Sequence, residues 1–135
     1  MAEATNKTLR VVVVTPERAV LDESADMVVL PLFDGEFGVM ANHSPFVGQL
    51  GPGELRIKHG TETRHYFIDG GFAQVAKNVV NVLTQFARKK DDLTEAVIVA
   101  EQTKADAIVA TNDVEKATKA KMITRAAAMR RVAKK

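Results

Sequence analysis

The sequence predicts a mainly β plus α fold: a β-sandwich over residues 1–90, then an antiparallel α-helical hairpin over residues 91–135. Three observations lead there. All eight glycines lie at or before Gly71, and they cut the first part of the chain into short apolar runs. Those runs alternate in part with period 2 and recur at roughly 8–12-residue spacing, the pattern of a sandwich or barrel. After Arg88-Lys89-Lys90-Asp91-Asp92 glycine and proline vanish and alanine becomes frequent, which favours helix.

The first strand is the valine-rich run Leu9–Thr15, ended by Pro16. Ala19–Asp22 and Met27–Leu32 follow as short apolar stretches. Gly35–Pro45 reads as a glycine-bearing loop. In Glu54–Lys58, Leu55 and Ile57 alternate with Arg56 and Lys58, so one face is apolar. Arg64–Asp69, Gly71–Ala76 and Val79–Phe86 complete the strands, with hairpin turns expected at His59-Gly60-Thr61-Glu62 and Asp69-Gly70-Gly71. Asp92 is the expected N-cap of a helix from Leu93 to about Ala110, with Glu95 placed for a capping box. The β-branched run Ala96–Ala100 fits a strand too, but no turn residue follows it, and the helical reading is kept. Thr111-Asn112-Asp113 breaks the helix, and Asp113 is expected to cap a second one over Val114–Ala133. There Val114, Ala117, Lys121, Thr124, Ala128 and Val132 follow helical spacing. A short connection favours antiparallel neighbours.

With 135 residues, 46% of them apolar, the chain can build one compact domain with an appendage. The net charge of +2 conceals a gradient: residues 113–135 hold 8 basic and 2 acidic side chains, whereas residues 91–112 hold one Lys against five acids. Cysteine is absent, which excludes disulfides, thiolate nucleophiles and cysteine-ligated metals. Met1–Thr8 has no apolar core of a secretory signal. The apolar runs are too short to cross a bilayer as helices, so membrane association is expected only through a partner.

Candidate chemistry is sparse. His43 and Ser44 are adjacent, but Pro45 biases Ser44 to an extended conformation, and neighbours on an extended segment point to opposite faces. His59, Glu62 and His65 surround a turn and offer metal-ligand chemistry, without a visible second shell. Gly35-Glu36-Phe37-Gly38 lacks the Lys-Ser/Thr of a phosphate loop and opens no helix. No catalytic residue, cofactor or metal site is expected.

The stretch Pro31-Leu32-Phe33-Asp34-Gly35-Glu36-Phe37-Gly38-Val39-Met40-Ala41-Asn42-His43-Ser44-Pro45, running on to Leu50-Gly51-Pro52-Gly53, is more specific. It resembles the signature of the epsilon subunit of F-type ATP synthases: Gly-Glu-Leu/Phe-Gly, a spacer, then His-x-Pro with Leu and Gly behind. Thr15-Pro16-Glu17, Phe67-Ile68-Asp69-Gly70-Gly71-Phe72 and Asp92-Leu93-Thr94-Glu95-Ala96 continue the resemblance in order, over most of residues 9–100. It implies a non-catalytic rotor subunit in the central stalk, peripheral on the cytoplasmic side of an energy-transducing membrane. The expected partners are the gamma subunit, the c ring and, transiently, the catalytic alpha/beta subunits. It also implies that Glu36 and His43 meet the c ring, and that Arg125, Arg130 and Arg131 meet a catalytic beta subunit when the hairpin restrains ATP hydrolysis. The family's ATP-binding pattern Ile/Leu-Asp-x-x-Arg-Ala is broken at Thr94, Val97 and Ile98, so weak or no ATP binding is expected. The alternative is a small nucleic-acid-binding module using the basic C-terminal helix, although Phe86 is the last aromatic available for base stacking.

Overall fold

The computed structural model describes residues 8–134. The chain divides between Ala87 and Arg88 into two compact units.

The first unit is a sandwich of two five-stranded sheets. The strands are β1 (Leu9–Val14), β2 (Ala19–Ala25), β3 (Met27–Leu32), β4 (Gly35–Met40), β5 (Phe46–Gln49), β6 (Gly53–His59), β7 (Glu62–Ile68), β8 (Phe72–Ala76), β9 (Val79–Leu83) and β10 (Ala87–Lys89). One sheet has the order β2-β1-β9-β8-β5, the other β10-β7-β6-β3-β4. The β1–β9 pairing is parallel, joining Arg10–Val14 to Val79–Leu83. The β1–β2 turn is closed by reciprocal backbone bonds between Thr15 and Arg18. Inward residues alternate along each strand, and Val11, Val13, Val75, Val80 and Val82 of the first sheet meet Val28, Leu30, Val39, Leu55, Ile57 and Ile68 of the second. β-branched side chains of this kind suit a pleated, half-buried surface.

Two expectations change here. Residues 35–40 form strand β4 rather than a loop, paired with β3 from Met27↔Met40 to Leu32↔Gly35. The two glycines obscured a strand whose inward residues are Phe37, opposite Leu30, and buried Val39. Asp69-Gly70-Gly71 is not a hairpin, because β7 and β8 lie in different sheets; it carries the chain across the sandwich. The true hairpin in that region is β8–β9, through Lys77 and Asn78 at φ 52° and 63°, a left-handed pair of the kind two-residue hairpin loops require. The His59–Glu62 turn is as expected.

The second unit holds a 3-10 turn, Lys90–Asp92, then α1 (Glu95–Asp106) and α2 (Asp113–Ala133). Asp92 belongs to the 3-10 turn. The cap is Thr94, extended at φ −77° and ψ 161°, whose hydroxyl accepts from Val97 N. α1 stops four residues short of Ala110. α2 is capped by Asn112 rather than Asp113. Asn112 Oδ1 accepts from Glu115 N at 2.9 Å, and Glu115 Oε1 accepts in return from Asn112 Nδ2, Thr111 Oγ1 and Thr111 N. These bonds from Thr111 hold the Glu115 carboxyl below its usual range. The Asn112→Ala variant should lose about 1 kcal/mol of hairpin stability, measured as a lower urea midpoint for loss of helical circular dichroism.

The helices pack against each other, and Arg130 near the end of α2 reaches Glu95 at the start of α1, so they run antiparallel. α1 spans about 18 Å and α2 about 31 Å; α1 can therefore line only part of its partner. The buried residues of α2 are Ala126, Ala128, Met129 and Val132, all in its C-terminal half. Val114 and Ala117, which open the run at helical spacing, are exposed.

Candidate partner-docking surfaces

The outer face of the first sheet is the most distinctive surface of the sandwich. Residues opposite each other across a ladder share a face. The register therefore lines up Gln49–Phe72–Leu83–Val14 in one row and Val47–Gln74–Asn81–Val12 in the next. Val47 is 67% exposed, Phe72 57% and Leu83 56%. The amides of Gln49, Gln74 and Asn81 are the polar groups of these two rows. The charged pair bordering them neutralises itself: Arg10 grips Asp22 with Nε to Oδ1 at 2.8 Å and a second bond from its NH2 nitrogen to Oδ2. That grip raises the Arg10 pKa and lowers that of Asp22. At one end the face runs into a shallow groove of about 330 Å³ lined by Val14, Pro16, Phe72 and Leu83 among others. Contiguous exposed apolar area with a polar border marks a protein–protein contact. Sequence reading missed this face, although the period-2 pattern of Gly71–Ala76 places Phe72 and Gln74 opposite the inward Ala73 and Val75.

Glu36 and His43 point in different directions. Glu36 lies on the outer face of the second sheet, in the alternate set to Phe37. There Arg56 donates to both its oxygens, at 2.8 and 3.3 Å. His43 sits beyond the end of β4, its ring edge-on to Phe37 at 5.4 Å, and Phe37 stacks on Phe46 at 4.7 Å. His43 Nδ1–H donates to the Ser44 carbonyl oxygen at 2.7 Å, so its contact with Ser44 is to backbone and not to the hydroxyl.

His59 and His65 fall on opposite faces of β6–β7, since His59 pairs with Glu62 while His65 pairs with Arg56. His65 donates instead to Glu54, and no group of three or more metal-ligating side chains exists among the described residues.

On the hairpin, Arg130 reaches Glu95 Oε1 at 3.1 Å, Arg131 is exposed and Arg125 half-buried. Glu95 pairs across the helices, Glu101 faces Lys104 on its own helix at 3.6 Å, and Asp106 accepts from Gln102. No helix among the described residues is long and apolar enough to cross a membrane.

The family model of the ATP synthase delta/epsilon chain beta-sandwich domain matches residues 8–90. The chain belongs to this ATP synthase delta/epsilon family. It is 57% identical over 76 residues to the ATP synthase epsilon chain of Rhodopirellula baltica, covering 56% of this chain and 59% of that one. It is 40% identical over 103 residues to the epsilon chain of Acidithiobacillus ferridurans, covering 76% and 73%. The chain thus spans somewhat over half the length of the Rhodopirellula relative. It shares its fold with a chain of the Euglena gracilis mitochondrial ATP synthase at a TM-score of 0.74 and 22% identity, covering 92% of this chain and 80% of that one.

Within the delta/epsilon family assignment the matched span ends at residue 90, so it covers the sandwich and both faces described above, and stops before α1. Membership in this family leaves the nucleic-acid alternative without support.

Proposed function

We propose that the chain is the non-catalytic epsilon subunit of a rotary, proton-translocating ATP synthase, seated in the central stalk and linking the c ring and gamma to the catalytic head. It is held peripherally, on the cytoplasmic side of the energy-transducing membrane, through its partners. The observation that supports this best is the uncharged apolar face of Val47, Phe72 and Leu83. A sandwich that turns with a stalk needs a broad, desolvated contact to a rigid neighbour, and gamma is the partner this face suits. Glu36, on the other sheet, remains free to meet the ring while gamma is bound.

The hairpin is the regulatory part of this reading. The cross-helix ion pair Arg130–Glu95 is solvent-exposed, and such pairs contribute only about 0–1 kcal/mol. Alanine-rich contacts bury little apolar area per residue. The helices can therefore separate at modest cost, freeing Arg125, Arg130 and Arg131 to pair with carboxylates of a catalytic beta subunit.

The experiment is ATP hydrolysis by the assembled enzyme with the full chain, with the chain truncated after Lys90, and with the three arginines changed to alanine. Both variants should relieve inhibition, and wild-type inhibition should weaken in high salt. Unchanged hydrolysis by the truncated enzyme would remove the hairpin's inhibitory role. Failure of the chain to co-purify with gamma would sink the assignment to the stalk.

A further inference from the structure

Glu36 does not stand alone on its sheet. Four side chains form a connected row on the outer face of β4, β6 and β7. Glu54 is at its buried end, with only 3% of its side chain exposed. It accepts from an Arg56 NH1 nitrogen at 3.2 Å and from His65 Nδ1 at 3.1 Å. The same guanidinium then reaches outward, and its two terminal nitrogens grip the two oxygens of Glu36, whose side chain is 51% exposed. Arg56 is itself only partly exposed and spans from one carboxylate to the other. The ladder puts it there: Arg56 lies opposite both His65 and Val29, and Val29 lies opposite Gly38, two residues along from Glu36 on the same face.

An exposed glutamate has three side-chain torsions and samples many rotamers in water. Freezing such a side chain on binding costs affinity unless it is ordered beforehand. A planar fork anchored on a buried carboxylate supplies that order, because the guanidinium is fixed at its inner end before it meets Glu36.

We propose that Arg56 is a positioning residue, held by buried Glu54, that fixes the Glu36 carboxylate in one orientation for its contact with the c ring. This rests on the reading that Glu36 meets the ring. The grip also defines what Glu36 can accept. Arg56 occupies one lone-pair direction on each oxygen, and the remaining directions face solvent. The complementary group on the ring is a hydrogen-bond donor or a single cation that approaches from that side.

The test is a double-variant cycle on the assembled enzyme. Complexes depleted of this chain are titrated with Glu36→Gln, Arg56→Gln, Arg56→Lys and the Glu36→Gln/Arg56→Gln double variant, and the half-saturating concentration for restored proton pumping is read. Thermal unfolding of each full chain is followed in parallel. Glu36→Gln should weaken binding roughly tenfold, the loss of a charge-assisted bond. Arg56→Gln should weaken it roughly three- to tenfold, the cost of ordering a freed side chain. Arg56→Lys, which keeps the charge but loses the two-point grip, should fall between Arg56→Gln and the wild type. In the Glu36→Gln background Arg56→Gln should add nothing, because the group it positions is already altered. An additive loss in the double variant, or an Arg56→Lys chain equal to the wild type, would overturn the proposal. A merely structural role for Arg56 would give that additive loss together with a lowered unfolding temperature. Glu36→Gln without effect would instead sink the ring contact, and the positioning role with it.

Discussion

Replacing Gly71 with alanine should abolish the native sandwich. Gly71 sits at φ +101° where the chain crosses from the second sheet to the first, and an added Cβ would lie 1.9 Å from the Leu83 carbonyl oxygen and 2.8 Å from Thr84 Cα. Both obstacles are backbone and cannot rotate aside. Leu83 is locked by its pairing with Phe72 and Val14, and the Gly71 carbonyl accepts from Leu50 N at 2.8 Å. A steric conflict of this kind combined with a left-handed backbone should cost more than about 4 kcal/mol, a large share of a small domain's stability. Gly60→Ala is the control. Gly60 also has positive φ, at +62°, but nothing lies within 4 Å of its missing Cβ. It should lose only about 1–2 kcal/mol, the strain of the left-handed conformation. Thermal unfolding by circular dichroism separates the two. Equal losses would mean that conformation alone, and not the contact with β9, makes Gly71 necessary.

Placing a carboxylate on the outer face of the first sheet should separate binding from folding. In the Phe72→Asp and Leu83→Asp variants the new charge is solvated in the free chain, so the unfolding temperature should move little; exposed substitutions usually stay within about 0.5 kcal/mol. In the complex the same charge would be buried without a partner. Affinity for gamma should fall about a hundredfold or more, near 3 kcal/mol. Isothermal titration of gamma with each variant measures this. Wild-type affinity in both variants would remove the face from the contact.

Much of the fold is legible in the sequence because alternation and helical spacing are strong where one face is buried. The valine strands, the His59–Glu62 turn and the break at Thr111-Asn112-Asp113 all follow from that. Ala96–Ala100 is helical despite its β-branched run, since it lies within a span that contains no glycine or proline. β4 was hidden because Gly35 and Gly38 read as loop, whereas Gly38 is glycine on account of Met27, whose methyl carbon would meet a Cβ at 2.7 Å. The β8–β9 hairpin was hidden because Lys77-Asn78 is a weak turn signal beside the louder Asp69-Gly70-Gly71. Caps were off by one or two residues, since Asp92, Thr94, Asn112 and Asp113 all have capping side chains and only the backbone decides among them. Of the candidate site, the family resemblance names Glu36 and His43, but their divergent directions depend on β4 being a strand. The partners of Glu36 depend on the β6–β3–β4 register, which no local pattern encodes.

The parallel pairing of β1 with β9 orders events during synthesis. Arg10 and Val79 are neighbours in the sheet, yet at about 5–20 residues per second the ribosome needs several seconds to make the chain between them. Until then a β1–β2 hairpin would leave one edge of β1 unpaired, and its valines would have no sheet to complete. Such an edge is a template for wrong partners. Self-neutralising Arg10 and Asp22 lie across that early hairpin and can form as soon as it does, which steadies the register while the strand waits. The closing of the first sheet is then a late, non-local step, and nascent chains interrupted before residue 79 should leave that sheet open.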